Sequence, residues 1–193
     1  MTPKVLVFAG SNRSGSFNRQ LAEAAMKTLA QMEAEVTLIA LADYPLPILD
    51  EDLKNREGLP ENAVKLARLF AAHDAAFIAS PEYNSSIPPL LKNVLDWVSL
   101  TKTDGTREIR PYDGLTVAIG AASNGALGGI RGLYHLRSVL MNVGTQIITE
   151  QCSISGAKTA FGEDGLPVDE RQAKRLEATC RALLRHSTPG RAG

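Results

Sequence analysis

The 193-residue sequence has few cysteines, few aromatic residues and no excess of charge of either sign. Two cysteines, Cys152 and Cys180, are too few for a disulfide framework, and with the three histidines they show no zinc-binding spacing. The 21 basic residues are balanced by 21 acidic residues, which argues against binding to nucleic acid or another polyanion. We therefore expect no metal ion, no nucleic-acid partner and a reducing, cytoplasmic location.

Long apolar runs are also absent. No run approaches the roughly 18 residues that a membrane-spanning helix needs, and residues 1–4 lead into a strand pattern and not into a signal peptide. We therefore expect no membrane partner. Hydrophobic residues make up 44% of the chain and charged residues 22%, as in globular proteins. The length favours a single domain over residues 1–193, with a frayed end after about residue 187.

Short apolar runs alternate with longer segments of helical periodicity. The runs predicted to be strands are 5–9, 36–40, 75–79, 115–119 and 146–148. Apolar residues three or four apart predict helices between and after them, whereas the polar stretch 50–60 is predicted to be a long loop. This alternation predicts an α/β fold, a doubly wound parallel sheet of five strands with helices on both faces. A closed eight-stranded barrel needs a longer chain.

Ligands of such sheets bind beyond the carboxyl ends of the strands, where this sequence has polar, glycine-rich loops. The first loop, residues 10–18, combines hydroxyl and amide side chains with a guanidinium at a predicted helix start, which suits a phosphate. A turn with a helix cap is the simpler alternative for any single serine. Ser16 stands where an ATP- or GTP-binding loop has lysine, and the dinucleotide motif G-x-G-x-x-G is missing. The terminal monophosphate of FMN fits a loop without lysine.

Two further loops follow the third and fourth predicted strands. The second loop, residues 80–89, has prolines at both ends that stiffen the backbone, so its amides can form a wall for a flavin ring or simply a turn. The third loop, residues 123–131, has glycines that allow a flat ligand close to the backbone or make a flexible connection. Arg131 at its end faces either the flavin ring edge or a neighbouring carboxylate.

Three motifs occur in order along the chain. They are G-S-x-R-x-x-S-x-N from residue 10, P-E-Y-N-x-S-x-P-x-x-L-K-N-x-x-D-W from residue 81 and G-x-x-G-G-x-R from residue 125. Together they resemble the NADPH-dependent FMN reductase family of flavodoxin-like proteins, which includes bacterial chromate/quinone reductases and azoreductases. The middle motif is highly specific, the other two are weak alone, and the sequence after about residue 150 carries no motif.

The resemblance implies a flavodoxin-like sheet of strand order 2-1-3-4-5, FMN as the cofactor and NADPH or NADH as the hydride donor. It also implies a homodimer or a dimer of dimers. The residues implied to hold the FMN phosphate and ribityl chain are Ser11, Arg13, Ser16, Phe17 and Asn18. Those implied to line the ring are Pro81, Glu82, Tyr83 and Asn84 on one side, and Ser123, Gly125 and Gly128 on the other.

The predicted function is an FMN-dependent NAD(P)H oxidoreductase. Hydride is expected to pass from nicotinamide to flavin N5 and then, at the same site, to quinone, azo, nitro or metal-ion acceptors. No catalytic side chain is predicted, because the reactive atoms belong to the cofactor. The alternative is a flavodoxin-type electron carrier, but such carriers are usually strongly acidic and this chain has no net charge. A regulatory nucleotide-binding module would need the missing lysine or a magnesium ligand.

The sequence also indicates candidates for donor binding and for subunit contact. Arg13, Arg107 and Arg110 are each candidates for contact with the 2′-phosphate of NADPH, and the sequence does not rank them. Trp97 lies beside the apolar stripe of a predicted helix, and residues 45–47 form an apolar loop. We interpret both as surface that a second subunit covers.

Overall fold

Five apolar segments form one parallel sheet in the computed structural model, which describes residues 2–191. The strands are β1 (Lys4–Ala9), β2 (Glu35–Ile39), β3 (Ala75–Ala79), β4 (Thr116–Ala122) and β5 (Gln146–Ile154). They pair in the order β2-β1-β3-β4-β5, so the predicted α/β class and strand order are confirmed. The central strands β1, β3 and β4 are almost fully buried, as parallel strands covered on both faces are.

Within the described residues, six α-helices accompany the sheet. They are α1 (Phe17–Gln31), α2 (Glu51–Glu57), α3 (Glu61–Ala71), α4 (Pro89–Leu100), α5 (Ile130–Asn142) and α6 (Glu170–His186). Helices α1 and α6 cover one face, where Val5 and Val7 of β1 point, and α3, α4 and α5 cover the other, where Leu6 and Phe8 point. Because side chains alternate along a strand, one apolar strand contributes to both halves of the core. The predicted helices on both faces are confirmed.

The prediction of a long loop over residues 50–60 is wrong for its first part, which forms α2. The Asp50 carboxylate accepts hydrogen bonds from the backbone N–H groups of Asp52 and Leu53, at 2.8 and 3.2 Å, and caps this helix. All residues of α2 are at least partly exposed. A helix without a buried face has no apolar periodicity, so the sequence pattern does not reveal it.

Strand β5 is longer than the predicted residues 146–148 and contains a bulge. One residue of β4 lies between Val117 and Ile119, whereas the matching segment of β5, residues 148–150, has three. Arg137 of α5 donates to a carbonyl within this bulge at 2.7 Å. The polar bulge interrupts the apolar run, and the strand continues beyond it to Ile154, level with the end of β4.

The last residues that the structure describes lie against the edge of the sheet where the strands begin. The Asp74 carboxylate accepts hydrogen bonds from the backbone N–H groups of Gly190 and Arg191, at 2.9 and 3.2 Å. The Arg191 guanidinium donates to the His73 carbonyl at 2.7 Å. Part of the segment predicted to fray therefore has specific contacts, and residues 192–193 lie outside the described chain.

Candidate functional site

The three polar loops lie side by side because they follow neighbouring strands. Strands β1, β3 and β4 are adjacent in the sheet, and parallel strands end at the same edge. The backbone N–H of Gly10 donates to the Ala79 carbonyl at 2.8 Å, and that of Ser80 donates to the Gly120 carbonyl at 2.8 Å. The starts of the first two loops are thus fixed by the ends of the next strands.

The first loop presents hydrogen-bond donors at the start of α1. Ser16 occupies the N-cap position and is buried, yet within residues 2–191 its side chain makes no capping hydrogen bond. The first turn of a helix has N–H groups without intrahelical partners, and here the Ser16 hydroxyl does not satisfy them. Ser11 is also buried, and its hydroxyl accepts from the Arg13 N–H at 3.3 Å. The arrangement leaves the helix end available to an external acceptor.

Arg13 adds a positive charge to this loop. Its guanidinium lies 5.3 Å from the centroid of the Phe17 ring and donates to the Gly15 carbonyl at 3.0 Å. The stacking and the hydrogen bond hold an exposed cation next to the helix start. Together with the uncapped N–H groups, it makes the loop suitable for an anion.

The helices differ in whether their first turns contain acidic residues. Those of α2, α3 and α6 contain acidic residues, which favour the positive end of any helix. Those of α1, α4 and α5, the helices that follow the three loops, contain none. The positive ends of these three helices are therefore not neutralised by residues of their own first turns, and at α1 this suits an anionic ligand.

The resemblance assigns Asn18 to the FMN phosphate and ribityl chain, and within the protein its side chain has two hydrogen bonds. It is buried, its Nδ2 donates to the Ala122 carbonyl at 3.0 Å, and its Oδ1 accepts from the Ala122 N–H at 2.9 Å. These bonds join the start of α1 to the end of β4. Asn18 thus links the first loop to the third.

The second loop contains a tight turn. The N–H groups of Tyr83 and Ser86 each donate to the carbonyl of the other residue, both at 2.9 Å. Asn84 and Ser85 between them have φ values of 50° and 66°, the left-handed pair of a two-residue hairpin turn. The loop is therefore stiffened by this turn as well as by its prolines. Half-buried Pro81 precedes it, and the Tyr83 side chain remains 52% exposed.

Of the two partners considered for Arg131, the carboxylate is present in the structure. Its guanidinium lies against a neighbouring carboxylate, that of Glu82, with Nη2 and Oε1 3.1 Å apart. This contact connects the second loop to the end of the third.

The third loop is held by the end of β5 and the segment after it. Its Ser123 N–H donates to the Ile154 carbonyl at 2.9 Å, and the Ser153 hydroxyl donates to the Leu127 carbonyl at 3.0 Å. Within the loop, the Ser123 hydroxyl accepts from the Gly125 N–H at 3.2 Å. Residues 153–154 carry no motif, because a main-chain carbonyl and a single hydroxyl are groups that many sequences offer. Sequence reasoning therefore misses their contribution.

The arginines considered for NADPH are separated by the fold. Arg107 and Arg110 precede β4 and line a cleft together with Lys4, the first residue of β1. That cleft lies at the edge where the strands begin, opposite to the three loops. Of the three candidates, only Arg13 lies at the edge that carries the loops.

The cysteines offer no alternative chemistry. Cys152 and Cys180 are buried free thiols in the core between β5 and α6. Burial raises the pKa of Cys152 to about 12 and also raises the pKa of Cys180. Neither is therefore the thiolate that nucleophilic catalysis needs. Within residues 2–191 no group of acidic, histidine or cysteine side chains is arranged to hold a metal ion, and no helix is long and apolar enough to cross a membrane.

Comparison with known proteins gives a consistent result. Residues 3–159 match the family model described as NADPH-dependent FMN reductase. The chain is 35% identical over 148 residues to a quinone reductase of Escherichia coli, covering 76% of this chain and 74% of that protein. It is 32% identical over 182 residues to an NAD(P)H-dependent FMN reductase of Pseudomonas aeruginosa, covering 93% of this chain and 92% of that protein.

The fold has solved relatives as well. The structure of a flavoenzyme NAD(P)H:(acceptor) oxidoreductase from Paracoccus denitrificans superposes with a TM-score of 0.76 at 27% identity, covering 97% of this chain and 100% of that chain. The matched region of the family model includes all three loops and the segment that holds the third.

Proposed function

The chain belongs to the NADPH-dependent FMN reductase family, and from this premise we propose that it passes hydride from NAD(P)H to quinones and similar small acceptors at one shared site. As a member of this family it is an NAD(P)H-dependent oxidoreductase with FMN as its cofactor. The observation that carries the proposal is the meeting of the three loops at one edge of the sheet. The uncapped start of α1 follows the first of these loops, and the rigid turn at residues 83–86 lies in the second.

The first loop fits the phosphate of FMN. Arg13 supplies the charge, Ser11 and Ser16 supply hydroxyl donors, and the first turn of α1 supplies N–H groups. Phe17 is half-buried and holds Arg13 in place. We assign Asn18 an indirect role, because its amide is bonded to Ala122 and keeps the first and third loops together.

The second and third loops fit the ring. In the turn at residues 83–86, the N–H groups of Tyr83 and Ser86 are used, whereas those of Asn84 and Ser85 have no acceptor in the described part of the chain. These two amides are donors held in fixed directions, as a ring with carbonyl oxygens requires. Ser123, Gly125 and Gly128 line the opposite side.

FMN, when bound, supplies the atom that takes up hydride and passes it on. The protein's part is to hold the reactants in position and to exclude other arrangements. None of the loops offers a histidine or cysteine beside a proton donor, so we assign no catalytic acid or base. Half-exposed Tyr83 is placed to shape access, and Glu82, the carboxylate of the second loop, is bonded to Arg131.

A spectrum of the purified protein tests the proposed function directly. We expect the absorption of bound flavin, rapid bleaching on anaerobic addition of NADPH or NADH, and recovery of colour on addition of a quinone. The donor that bleaches faster identifies the preferred nicotinamide. A protein that stays colourless after soaking with FMN would contradict the proposal.

We propose that the protein acts in the cytoplasm, and the free thiols of Cys152 and Cys180 support this location.

Substitution of Tyr83 tests whether a proton donor is needed. Tyr83→Phe should keep turnover within about tenfold of the wild type, equivalent to roughly 1.4 kcal/mol of barrier, because only the hydroxyl is lost. Tyr83→Ala should change acceptor preference and flavin retention more than hydride transfer. Steady-state kinetics with donor and quinone varied should give parallel double-reciprocal lines. Intersecting lines would instead show that donor and acceptor are bound together.

The prediction that Trp97 is surface covered by a second subunit is wrong. Trp97 is fully buried within its own chain, and its Nε1 donates to the Pro47 carbonyl at 2.8 Å. Asn93 donates to the same carbonyl at 2.8 Å, so the loop at residues 45–47 is itself fixed on α4. Trp97 therefore needs no second subunit to cover it.

Other apolar residues support the proposed oligomer. Tyr134 and Met141, two turns apart on one face of α5, are 58% and 61% exposed, and Leu127 before this helix is 56% exposed. We propose that a second copy of the chain covers this face in a homodimer or dimer of dimers. Sedimentation should show a species larger than 20.7 kDa that Met141→Asp converts to the monomer. A wild-type monomer with full flavin content and turnover would refute this.

A further inference from the structure

The carboxylate of Glu82 has contacts that lining a ring does not explain. Its side chain is only 12% exposed. Oε1 accepts a hydrogen bond from Nε of Arg131 at 3.2 Å and lies 3.1 Å from Nη2 of the same side chain. Oε2 accepts from the backbone N–H of Gly132 at 2.9 Å. Both oxygens of a second-loop side chain are therefore bound to the start of α5.

Through its bond to Gly132, Glu82 caps helix α5 although it belongs to a distant part of the chain. Gly132 is in the first turn of α5, whose N–H groups lack intrahelical acceptors, and the N-cap residue Gly129 has no side chain to supply one. A negative charge at this position is also favoured by the positive end of the helix. Glu82 thus caps α5 as Asp50 caps α2. Asp50 directly precedes its helix, whereas Glu82 belongs to a loop far from α5 in sequence.

The second loop and the first turn of α5 pack closely around the contact between Glu82 and Gly132. A Cβ atom at Gly132 would lie 3.2 Å from the Cβ of Glu82 and 3.2 Å from the carbonyl oxygen of Ser86, so a side chain there would push the second loop away. A second hydrogen bond joins the same two elements, between Nδ1 of His135 and the Ser86 hydroxyl at 3.0 Å. The turn at residues 83–86 is held against α5 at both of its ends.

We propose that Glu82 is a positioning residue, which fastens the second loop to the first turn of α5 and fixes the spacing between the two loops on either side of the flavin ring. Arg131 balances its charge, so that no uncompensated carboxylate lies beside the ring. This inference rests on the proposed function, because it requires that these loops enclose the flavin. Glu82 then acts through the position of the second loop and not as an acid.

Binding to the apo-protein is the first test. Glu82→Ala should raise the dissociation constants of FMN and of riboflavin by the same factor, about tenfold, equivalent to about 1.4 kcal/mol, because the ring end is affected and the phosphate end is not. Glu82→Gln keeps an acceptor for the Gly132 N–H and should lose about threefold, as expected when a charged hydrogen bond becomes a neutral one. Glu170→Gln, which breaks the exposed pair with Lys174 on α6, is the matched control and should change neither constant.

Hydrogen exchange in the apo-protein separates this inference from the proposed function. The Gly132 amide should exchange faster in Glu82→Ala but not in Arg131→Gln. In Arg131→Gln the Glu82 carboxylate is still present and still accepts the hydrogen bond from the Gly132 N–H. If the wild type binds neither flavin, the site assignment fails, and this exchange measurement still tests the contact between the loops. Unchanged flavin affinities in both Glu82 variants, or a loss confined to FMN, would overturn the inference. Should Glu82→Ala not fold, Glu82→Gln gives the same comparison.

The midpoint potential of bound flavin provides a readout that mere loosening of the fold does not reproduce. Loss of a negative charge favours the reduced flavin, and loss of a positive charge disfavours it. Glu82→Gln should therefore raise the potential and Arg131→Gln should lower it, each by about 15 mV for a threefold change in relative affinity. The double variant should return close to the wild type. Shifts of the same sign, or no shift, would contradict the paired role of these charges.

Discussion

Replacing Arg13 and Ser16 together by alanine is expected to weaken FMN binding by about 2–4 kcal/mol, since each hydrogen bond to a charged acceptor contributes roughly 1.5–3 with incomplete additivity. The Ser16 hydroxyl does not cap α1, and the Arg13 guanidinium is held beside the same helix end. Both groups are thus available to a phosphate. Riboflavin has no phosphate, so its binding should change far less. Titration of the apo-protein with both flavins measures the difference.

Two neighbouring substitutions make this comparison specific. Ser14 is an exposed serine of the same loop, outside the set of predicted contacts, and Ser14→Ala should leave both affinities unchanged. Asn18→Ala removes two buried hydrogen bonds to Ala122, so it should lower the unfolding free energy and weaken both flavins alike. Equal losses of FMN and riboflavin in the Arg13 and Ser16 variant would mean that the first loop does not bind the phosphate.

The meeting of the three loops at one edge was predictable because it depends on strand order and direction alone. Apolar runs mark the ends of β1, β3 and β4, and parallel strands end at one edge, so the polar loops after them must meet. The order itself came from the resemblance to a family, since periodicity does not say which strands are neighbours. The three motifs begin in these loops, so they lie at this edge for the same reason.

The finer geometry was not predictable from residue types. Asn18 is equally suited to a phosphate and to a strand end, and only the three-dimensional neighbourhood shows that Ala122 is its partner. The left-handed pair Asn84 and Ser85 has no glycine to signal the turn. The segment that holds the third loop acts through a backbone carbonyl and the Ser153 hydroxyl, which form no recognisable pattern. Long-range contacts of these kinds are fixed by the fold and not by local sequence.

Gly128→Ala should lower the unfolding free energy by about 2–4 kcal/mol, the sum of a left-handed backbone penalty and a local steric clash. Gly128 has a φ of 58°, and a Cβ atom there would lie 2.5 Å from the Ser153 hydroxyl and 3.0 Å from the carbonyl carbon of Ile154. The end of β5 would have to move, and the third loop with it. Flavin binding should therefore fall together with stability, as denaturant unfolding and titration of the same variant would show.

Gly125→Ala is the matched control within the same loop. The nearest atom to a Cβ at Gly125 is the Ser123 hydroxyl oxygen at 3.7 Å, an ordinary contact distance. Its unfolding free energy should stay within about 0.5 kcal/mol of the wild type, as for substitutions that create no clash. A loss of flavin binding in Gly125→Ala without a loss of stability would mean that the ligand itself approaches this position. If Gly128→Ala proved as harmless as its control, the third loop would not depend on β5 for its shape, and its rigidity would need another source.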